Sequence, residues 1–142
     1  MRVLIAESSP FLAQAIASLV RSQGWQVVGL ADDGADAVAT AREEKPDIAI
    51  IDLHLKEGAA AGERLCAERI CPCILLTSSP ELYDLQLLDA DALLPKPFRD
   101  DDLINTMKAV WLKVRGQSYA MPRCAVVPAI LPEGRRFLGD GN

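Results

Sequence analysis

Five short apolar runs recur along this chain, and segments of helical character separate them. The runs comprise Arg2–Ala6, Gln26–Leu30, Asp47–Asp52, Cys73–Leu76 and Ala92–Leu94. Their residues are mostly apolar rather than alternating between polar and apolar, which is typical of strands buried on both faces of a parallel sheet. Strand and helix alternate five times, and this alternation predicts an α/β fold with helices on both faces of the sheet.

The polar residues at the ends of these runs bear on the arrangement of the strands. We expect a flavodoxin-like, doubly wound sheet of five parallel strands in the order 2-1-3-4-5, in which the first and third strands are neighbours. Ligands of such sheets bind at the carboxyl ends of the strands, where the winding reverses. Glu7 follows the first strand and Asp52 closes the third, so we expect these two carboxylates to meet at that edge.

The first two helices have recognisable boundary residues. Ser9 and Pro10 suit the N-cap and the first position of the first helix, and Gly24 ends it. Gly34 precedes an alanine-rich second helix, which Pro46 ends. The apolar face expected for the first helix comprises Phe11, Leu12, Ala15, Ile16, Leu19 and Val20.

Three further helices are expected. The third lies around Glu63–Cys66 after a turn at Lys56–Gly58, and a thin fourth lies near Leu82–Leu88. The last begins at Asp100–Asp102 and ends near Lys113, so that its charges complement the helix dipole. Its buried face is expected to comprise Leu103, Ile104, Met107, Val110 and Trp111.

Length and charge narrow the class of protein. The 142 residues favour one domain, which we place at residues 1–113, with residues 114–142 forming an extended tail too short for a helix-turn-helix output domain. The alternative is that the tail is a linker to an effector.

A formal net charge of −5 gives no electrostatic reason to bind nucleic acid or an anionic membrane. Without a secretory signal or a run of about 20 apolar residues, the expected location is cytoplasmic.

The four cysteines do not have the spacing of a zinc ribbon or a thioredoxin-like site. Cys71-Pro72-Cys73 is one residue shorter than the Cys-x-x-Cys motif of those sites. Side chains two residues apart on a strand share a face. We therefore expect Cys66, Cys71, Cys73 and Cys124 to be reduced and structural.

Four chemically distinct residues end separate strands in a fixed order. They are Glu7, Asp52, Thr77 and the lysine of Lys96-Pro97-Phe98. This ordered set resembles the receiver domain of two-component response regulators, in the CheY-like superfamily, over about Arg2–Trp111. In that family the Lys-Pro bond is typically cis.

The resemblance implies a role for each of these residues. Asp52 would accept a phosphoryl group from a histidine kinase or a phosphotransfer protein. Lys96 would contact the phosphoryl oxygens, and Thr77 would donate its hydroxyl and move as the switch. Each also has a purely structural interpretation. Asp52 could be a carboxylate that caps a turn, Lys96 a surface lysine or a member of an ion pair, and Thr77 a hydroxyl that satisfies the backbone.

A Mg²⁺ site is the implied cofactor site. Glu7 and Asp52 would be carboxylate ligands, and His54 would supply its backbone carbonyl. The family's second acid is replaced by Ser8, which would bind the ion weakly or through a water. The loss of that carboxylate should also relieve repulsion in the metal-free protein. The simpler interpretation is that Ser8 and Ser9 only start the helix.

Two other departures from the family pattern concern the surface through which receivers pass on their signal. Leu93 stands where the family often has an aromatic switch residue, and the interval from Thr77 to Lys96 is short. Receivers dock downstream protein partners or form homodimers through the face that these residues border. The side chain of His54 would border the site and could modulate phosphoryl lifetime or bind metal, although an exposed loop histidine is the simpler interpretation.

Three functional hypotheses follow. The first is a single-domain response regulator, not an enzyme, that signals through a protein partner. The second is a pseudo-receiver that acts as an interaction module without phosphorylation. The third, a phosphatase with Asp52 as nucleophile, is disfavoured because it needs a second acid at the position of His54. The sequence contains no glycine-rich phosphate loop of the kind that would indicate nucleotide binding.

Overall fold

A computed structural model of the protein describes residues 1–79 and 90–125. The predicted helix near Leu82–Leu88 and most of the predicted tail lie outside these residues. The strands and helices are β1 (Arg2–Ala6), α1 (Pro10–Ser22), β2 (Gln26–Ala31), α2 (Gly34–Glu44), β3 (Ile48–Asp52), α3 (Gly58–Ala67), β4 (Cys73–Thr77), β5 (Ala92–Pro95) and α4 (Asp100–Val114).

The sheet has the predicted topology. Its five strands are parallel and run in the order β2-β1-β3-β4-β5, which confirms the flavodoxin-like arrangement. The register pairs Ala6 with Ile51 and Thr77 with Pro95. The residues that follow β1, β3, β4 and β5 therefore lie along one edge of the sheet.

The core consists of two layers on opposite faces of the sheet. In β1, Leu4 and Ala6 belong to the layer that packs against α2 and α3, whereas Val3 and Ile5 belong to the layer that packs against α1 and α4. Successive residues of a strand point to opposite faces, so each central strand serves both layers. This explains why the strand sequences are apolar without alternation.

Helix α1 begins and ends where predicted, but its buried face differs from the predicted one. The Ser9 hydroxyl accepts a hydrogen bond from the Leu12 N–H at 3.3 Å, Pro10 is the first residue of the helix, and Gly24 follows its end at φ +77°. The residues buried in α1 are Ala13, Ile16, Ala17 and Val20.

Phe11 and Ala15 are exposed, contrary to the prediction, and 87% of Phe11 is accessible. At 3.6 residues per turn, both project from the side opposite Ile16 and Val20. The prediction favoured the larger apolar side chains, but the small Ala13 and Ala17 face the sheet instead.

Helices α2 and α3 begin earlier than the sequence suggested. Asp33 is the N-cap of α2, and its carboxylate accepts from the Asp36 N–H at 2.8 Å, so Gly34 is the first helical residue rather than a preceding turn. Helix α3 begins at Gly58, within the predicted turn. The Gly34 N–H donates to the Lys56 carbonyl at 2.7 Å, which ties the start of α2 to the connection before α3.

Helix α4 and the following residues complete the described chain. Three aspartates in its first turn and Lys113 in its last confirm the predicted charge pattern. Trp111 is only half-buried, and the Arg115 guanidinium lies 3.3 Å from its ring centroid. Met121 and Cys124 pack back onto the layer that contains α1 and α4.

None of the helices in the described ranges has the length and apolar character needed to cross a bilayer.

The close approach of α3 to β3 leads to a stability prediction. A Cβ on Gly58 would lie 2.3 Å from the Asp52 backbone carbonyl oxygen. Because the backbone must shift to relieve this overlap, we expect Gly58→Ala to lower the free energy of unfolding by about 1–3 kcal/mol in urea titrations.

Gly62→Ala in the same helix is the matched control. Its Cβ would meet the Leu75 side chain, at 2.8 Å from Cδ2, and alanine favours the helix by about 1 kcal/mol over glycine. The cost at Gly62 should therefore be the smaller of the two, and an equal loss in both variants would contradict the role given to the backbone contact.

Candidate functional site

Two buried carboxylates and one ammonium group meet at the carboxyl edge of the sheet. The Lys96 Nζ atom, after β5, lies 2.9 Å from Glu7 Oε2 and 3.7 Å from Asp52 Oδ2. The exposed fractions of these side chains are 1% for Glu7, 2% for Asp52 and 18% for Lys96. Taken together, the three groups leave one formal negative charge, in a setting where charges are weakly screened.

Both Asp52 oxygens accept hydrogen bonds from nearby residues. Oδ1 accepts from the backbone N–H of His54 at 2.9 Å, and Oδ2 accepts from the Ser8 hydroxyl at 2.8 Å. The sequence placed Ser8 at a ligand position for a metal, and the structure shows that its hydroxyl contacts Asp52 directly. The hydroxyl thus supplies a donor where a second acid would supply negative charge.

The ionised form of Asp52 is favoured in the folded protein. Burial is the largest single influence and opposes ionisation, but the His54 N–H, the Ser8 hydroxyl and the Lys96 ammonium together outweigh it. The net result is that the pKa of Asp52 lies below its usual value of 3.8. Hydrogen bonds and a nearby cation stabilise the carboxylate form.

Glu7 has an equally specific environment. Its Oε2 atom accepts from Lys96, and its Oε1 atom accepts from the Ser9 N–H at 3.2 Å. The same loop therefore contributes the start of α1, the Glu7 carboxylate and the Ser8 hydroxyl. The Lys96–Pro97 peptide bond is cis, as in the family that the sequence resembles.

Thr77 is fully buried and contacts His54. Its Oγ1 atom accepts from the Ser79 N–H at 3.0 Å and lies 3.3 Å from His54 Nε2. The sequence predicted that the His54 side chain would border the site, but it gave no sign of a partner for the ring. That contact joins the β3–α3 connection to the end of β4.

The donor atoms at this edge are compatible with Mg²⁺. The ion is bound in proteins by one or two carboxylates together with waters, and Glu7 and Asp52 supply two carboxylates. Within residues 1–79 and 90–125, no three side chains of the His, Cys, Asp and Glu types converge on a metal position. Ser8, the residue after Glu7, contributes a hydroxyl rather than a carboxylate.

Cys73 begins β4 and so lies at the opposite end of that strand from Thr77. All four cysteines are free thiols, and Cys66, Cys71 and Cys73 are buried. Hydrogen bonds with Cys66 and Cys71, together with burial, raise the pKa of the Cys73 thiol well above its usual value. A thiol with a raised pKa is a poor nucleophile at neutral pH, in agreement with a structural role.

The lowered pKa of Asp52 predicts a pH-dependent contribution to stability. A carboxyl whose pKa is lower in the folded than in the unfolded state stabilises the fold above the unfolded value, and this contribution is lost as the pH falls through the folded value. We compare the unfolding free energies of the wild type and of Asp52→Asn at each pH. The difference, wild type minus variant, should be constant near neutrality and should decrease as the pH is lowered past about 4. A difference that grows with acidification would mean that the folded pKa is raised.

The comparisons with known proteins agree with this geometry. The family model described as "Response regulator receiver domain" matches residues 3–108. "Transcriptional regulatory protein PdtaR" of Mycobacterium tuberculosis is 38% identical over 109 residues, which cover 72% of this chain and 53% of that protein. A protein-glutamate methylesterase/protein-glutamine glutaminase of Hahella chejuensis is 31% identical, over 68% of this chain and 30% of that protein. The chain thus spans about half the length of PdtaR and less of the methylesterase.

Solved structures show the same fold. The signal receiver domain of a modulated diguanylate cyclase from Desulfovibrio desulfuricans has a TM-score of 0.70 and 30% identity, with 79% of this chain and 94% of that chain covered. The response regulator TrrA of Thermotoga maritima, in complex with Mg²⁺ and BeF, has a TM-score of 0.70 at 21% identity, with 77% and 97% covered. At that identity the second likeness shows the fold alone.

Receiver homologues of this kind are mostly non-enzymatic regulators, although methylesterase and diguanylate cyclase relatives occur. Three observations lead to one assignment. They are the strand order, the meeting of Glu7, Asp52 and Lys96 at one edge of the sheet, and the family match over residues 3–108. The chain belongs to the response regulator receiver domain family of two-component signalling, with a CheY-like fold.

Proposed function

We propose that this protein is a single-domain response regulator that accepts a phosphoryl group on Asp52. The donor would be a histidine kinase or a phosphotransfer protein, and the output would be altered binding to a downstream protein. The observation that carries the proposal is the environment of Asp52: an ionised carboxylate at the edge of the sheet, 3.7 Å from the Lys96 ammonium. A carboxylate must be ionised to act as a nucleophile.

The transfer reaction can be written with these residues. An Asp52 oxygen attacks the phosphorus of a donor phosphohistidine, the phosphorus–nitrogen bond breaks, and an acyl phosphate forms. Lys96 would offset the negative charge on the phosphoryl oxygens, as cations do in phosphoryl transfer. The hydroxyls of Ser8 and Thr77 would serve as hydrogen-bond donors to those oxygens. Charge stabilisation of this kind is a major part of catalysis in phosphoryl transfer.

We also propose a Mg²⁺ site at the same edge. Receiver domains generally bind Mg²⁺, and here Glu7, Asp52 and the backbone carbonyl of His54 would hold the ion, with Ser8 as a weak ligand or through a water. When bound, Mg²⁺ neutralises charge on the phosphoryl oxygens. The unbalanced negative charge of the two carboxylates and Lys96 supports this site, because a further cation would be attracted to it.

The proposal includes the organisation of the chain. Residues 1–113 would form the receiver domain, and residues 114–142 an extended tail without a recognisable output domain. Val114, Met121, Cys124 and Ala125 pack on the α1–α4 layer, which supports a tail associated with its own domain. Signalling would then use protein contacts of the receiver, as a homodimer or with another protein, rather than catalysis or binding to nucleic acid or a membrane.

One observation favours the second hypothesis, a pseudo-receiver. The Ser8 hydroxyl and the His54 N–H satisfy the oxygens of Asp52, and Lys96 pairs with Glu7, so both carboxylates have partners among the protein's own groups. A site that is complete in this way can be retained for stability alone. The phosphorylation experiment below separates the two functions.

The first experiment is intact-mass spectrometry after incubation with Mg²⁺ and acetyl phosphate. We expect the mass to increase by one phosphoryl group in the wild type and not in Asp52→Asn. Omission of Mg²⁺ should abolish the increase. If neither acetyl phosphate nor a phosphorylated phosphotransfer protein gives an adduct, the pseudo-receiver becomes the better description.

Ser8→Asp tests the proposed metal site. The added carboxylate should raise Mg²⁺ affinity in calorimetric titration on the order of tenfold, because it lies a few ångströms from a divalent cation. The variant also loses the hydrogen bond to Asp52 and places two like charges together. Its metal-free unfolding free energy should therefore fall by about 1–3 kcal/mol.

Ser9→Asp is the matched control, since the same charge enters one residue later. Ser9 is an exposed N-cap, and aspartate is equally good at that position. Its effect on Mg²⁺ affinity should be small. Equal affinity of Ser8→Asp and wild type would rule out Ser8 as the missing ligand position.

A further inference from the structure

The Thr77 hydroxyl is held by a residue that also contacts the proposed phosphoacceptor. His54 donates its backbone N–H to Asp52 Oδ1 at 2.9 Å, and its ring Nε2 atom lies 3.3 Å from Thr77 Oγ1. Thr77 is 0% exposed. A single residue of the β3–α3 connection therefore contacts both Asp52 and the hydroxyl at the end of the neighbouring strand.

The hydrogen-bonding capacity of the hydroxyl limits what it can do in this arrangement. A threonine hydroxyl has one proton and two lone pairs. The Ser79 N–H occupies one lone pair. If His54 Nε2 is the unprotonated nitrogen of the ring, the single proton of Thr77 is given to it. A phosphoryl oxygen on Asp52 could then receive that proton only after the bond to His54 breaks.

We propose that His54 acts as a latch on Thr77 in the unphosphorylated protein. In this state the Thr77 hydroxyl donates to unprotonated His54 Nε2. It leaves that nitrogen when a phosphoryl group on Asp52 offers a charged oxygen, which is the stronger acceptor. This inference rests on the proposed function, because it concerns how that site responds to a phosphoryl group.

The latch has an energetic consequence. A bond made in the resting state and broken in the switched state favours the resting state by its net free energy. Removal of the ring nitrogen should therefore shift the equilibrium toward the switched state. A neutral hydrogen bond of this type corresponds to about a 2- to 10-fold change in that equilibrium.

The resting hydrogen bond can be tested without phosphorylation. His54 is the only histidine in the chain, so its imidazole ¹⁵N signals are unambiguous. In the unphosphorylated protein we expect the Nε2 signal of an unprotonated, hydrogen-bonded nitrogen. Thr77→Val should shift this signal, because the hydroxyl proton is lost, and Thr77→Ser should preserve it. A protonated Nε2, or no response to Thr77→Val, would overturn the latch.

The effect on switching can be measured with beryllofluoride, a phosphoryl mimic, in the presence of Mg²⁺. We expect His54→Ala and His54→Phe each to bind it about 2- to 10-fold more tightly than the wild type. The phenylalanine variant keeps a ring of similar size without a nitrogen, so wild-type affinity in His54→Phe would assign the effect to bulk instead.

A double-mutant cycle distinguishes the latch from a general structural role. In a Thr77→Val background, His54→Ala should leave beryllofluoride affinity unchanged, because there is no hydroxyl to hold. In a Thr77→Ser background the gain should reappear. An equal gain in all three backgrounds would contradict the latch.

Failure of the proposed function has a different signature. If no variant binds beryllofluoride and neither acetyl phosphate nor a phosphorylated phosphotransfer protein gives an adduct, Asp52 is not a phosphoacceptor, and the switching role of His54 is overturned with it. The ¹⁵N signals would still report whether Thr77 and His54 are hydrogen-bonded. If the wild type binds beryllofluoride but the cycle is additive, the phosphoacceptor stands and only the latch is lost.

Discussion

The ion pair of Lys96 with the two buried carboxylates is the interaction on which the functional edge depends. Glu7 and Asp52 are almost wholly buried, and removing ionised carboxylates from water is costly unless a counter-charge and hydrogen bonds accompany them. Lys96, which follows β5, supplies that positive charge, although it is 89 residues from Glu7 in sequence. The parallel order of the strands makes the contact possible, because it brings the ends of β1, β3 and β5 to one edge.

The uncharged Ser8 hydroxyl bears on the balance of charge at this edge. With its hydroxyl bonded to Asp52, the metal-free protein holds two carboxylates and one ammonium rather than three carboxylates and one ammonium. The resting site is therefore less strained by repulsion than a site with three acids. A carboxylate at this position would instead add an oxygen ligand of the kind that Mg²⁺ prefers, so resting stability and any affinity for the ion would change in opposite directions.

The sheet was predictable from the sequence because burial on both faces leaves a strong signal. The apolar runs placed β1 to β5 closely, and their polar ends placed Glu7, Asp52 and Lys96 at one edge. Helix faces were less predictable: Phe11 fits an apolar pattern, yet the alanines of α1 approach the sheet. The start of α3 at Gly58 depends on a close backbone contact with Asp52, which no periodicity reveals. The partner of the His54 ring could not be predicted, since it depends on side-chain directions from two separate connections.

Helices α2 and α3 differ from α4 in the size of the side chains that they supply to the core. Helices α2 and α3 present mainly alanine and glycine, such as Ala37, Ala41, Ala61 and Gly62, to the sheet. Helix α4 presents Leu103, Ile104, Met107 and Val110. Small side chains let a helix lie close to a sheet and leave little space to absorb added volume. A Cβ on Gly34 would lie 2.1 Å from the Glu57 carbonyl oxygen, and one on Gly58 would lie 2.3 Å from that of Asp52, so the small residues of α2 and α3 also fix the position of the segment that carries His54.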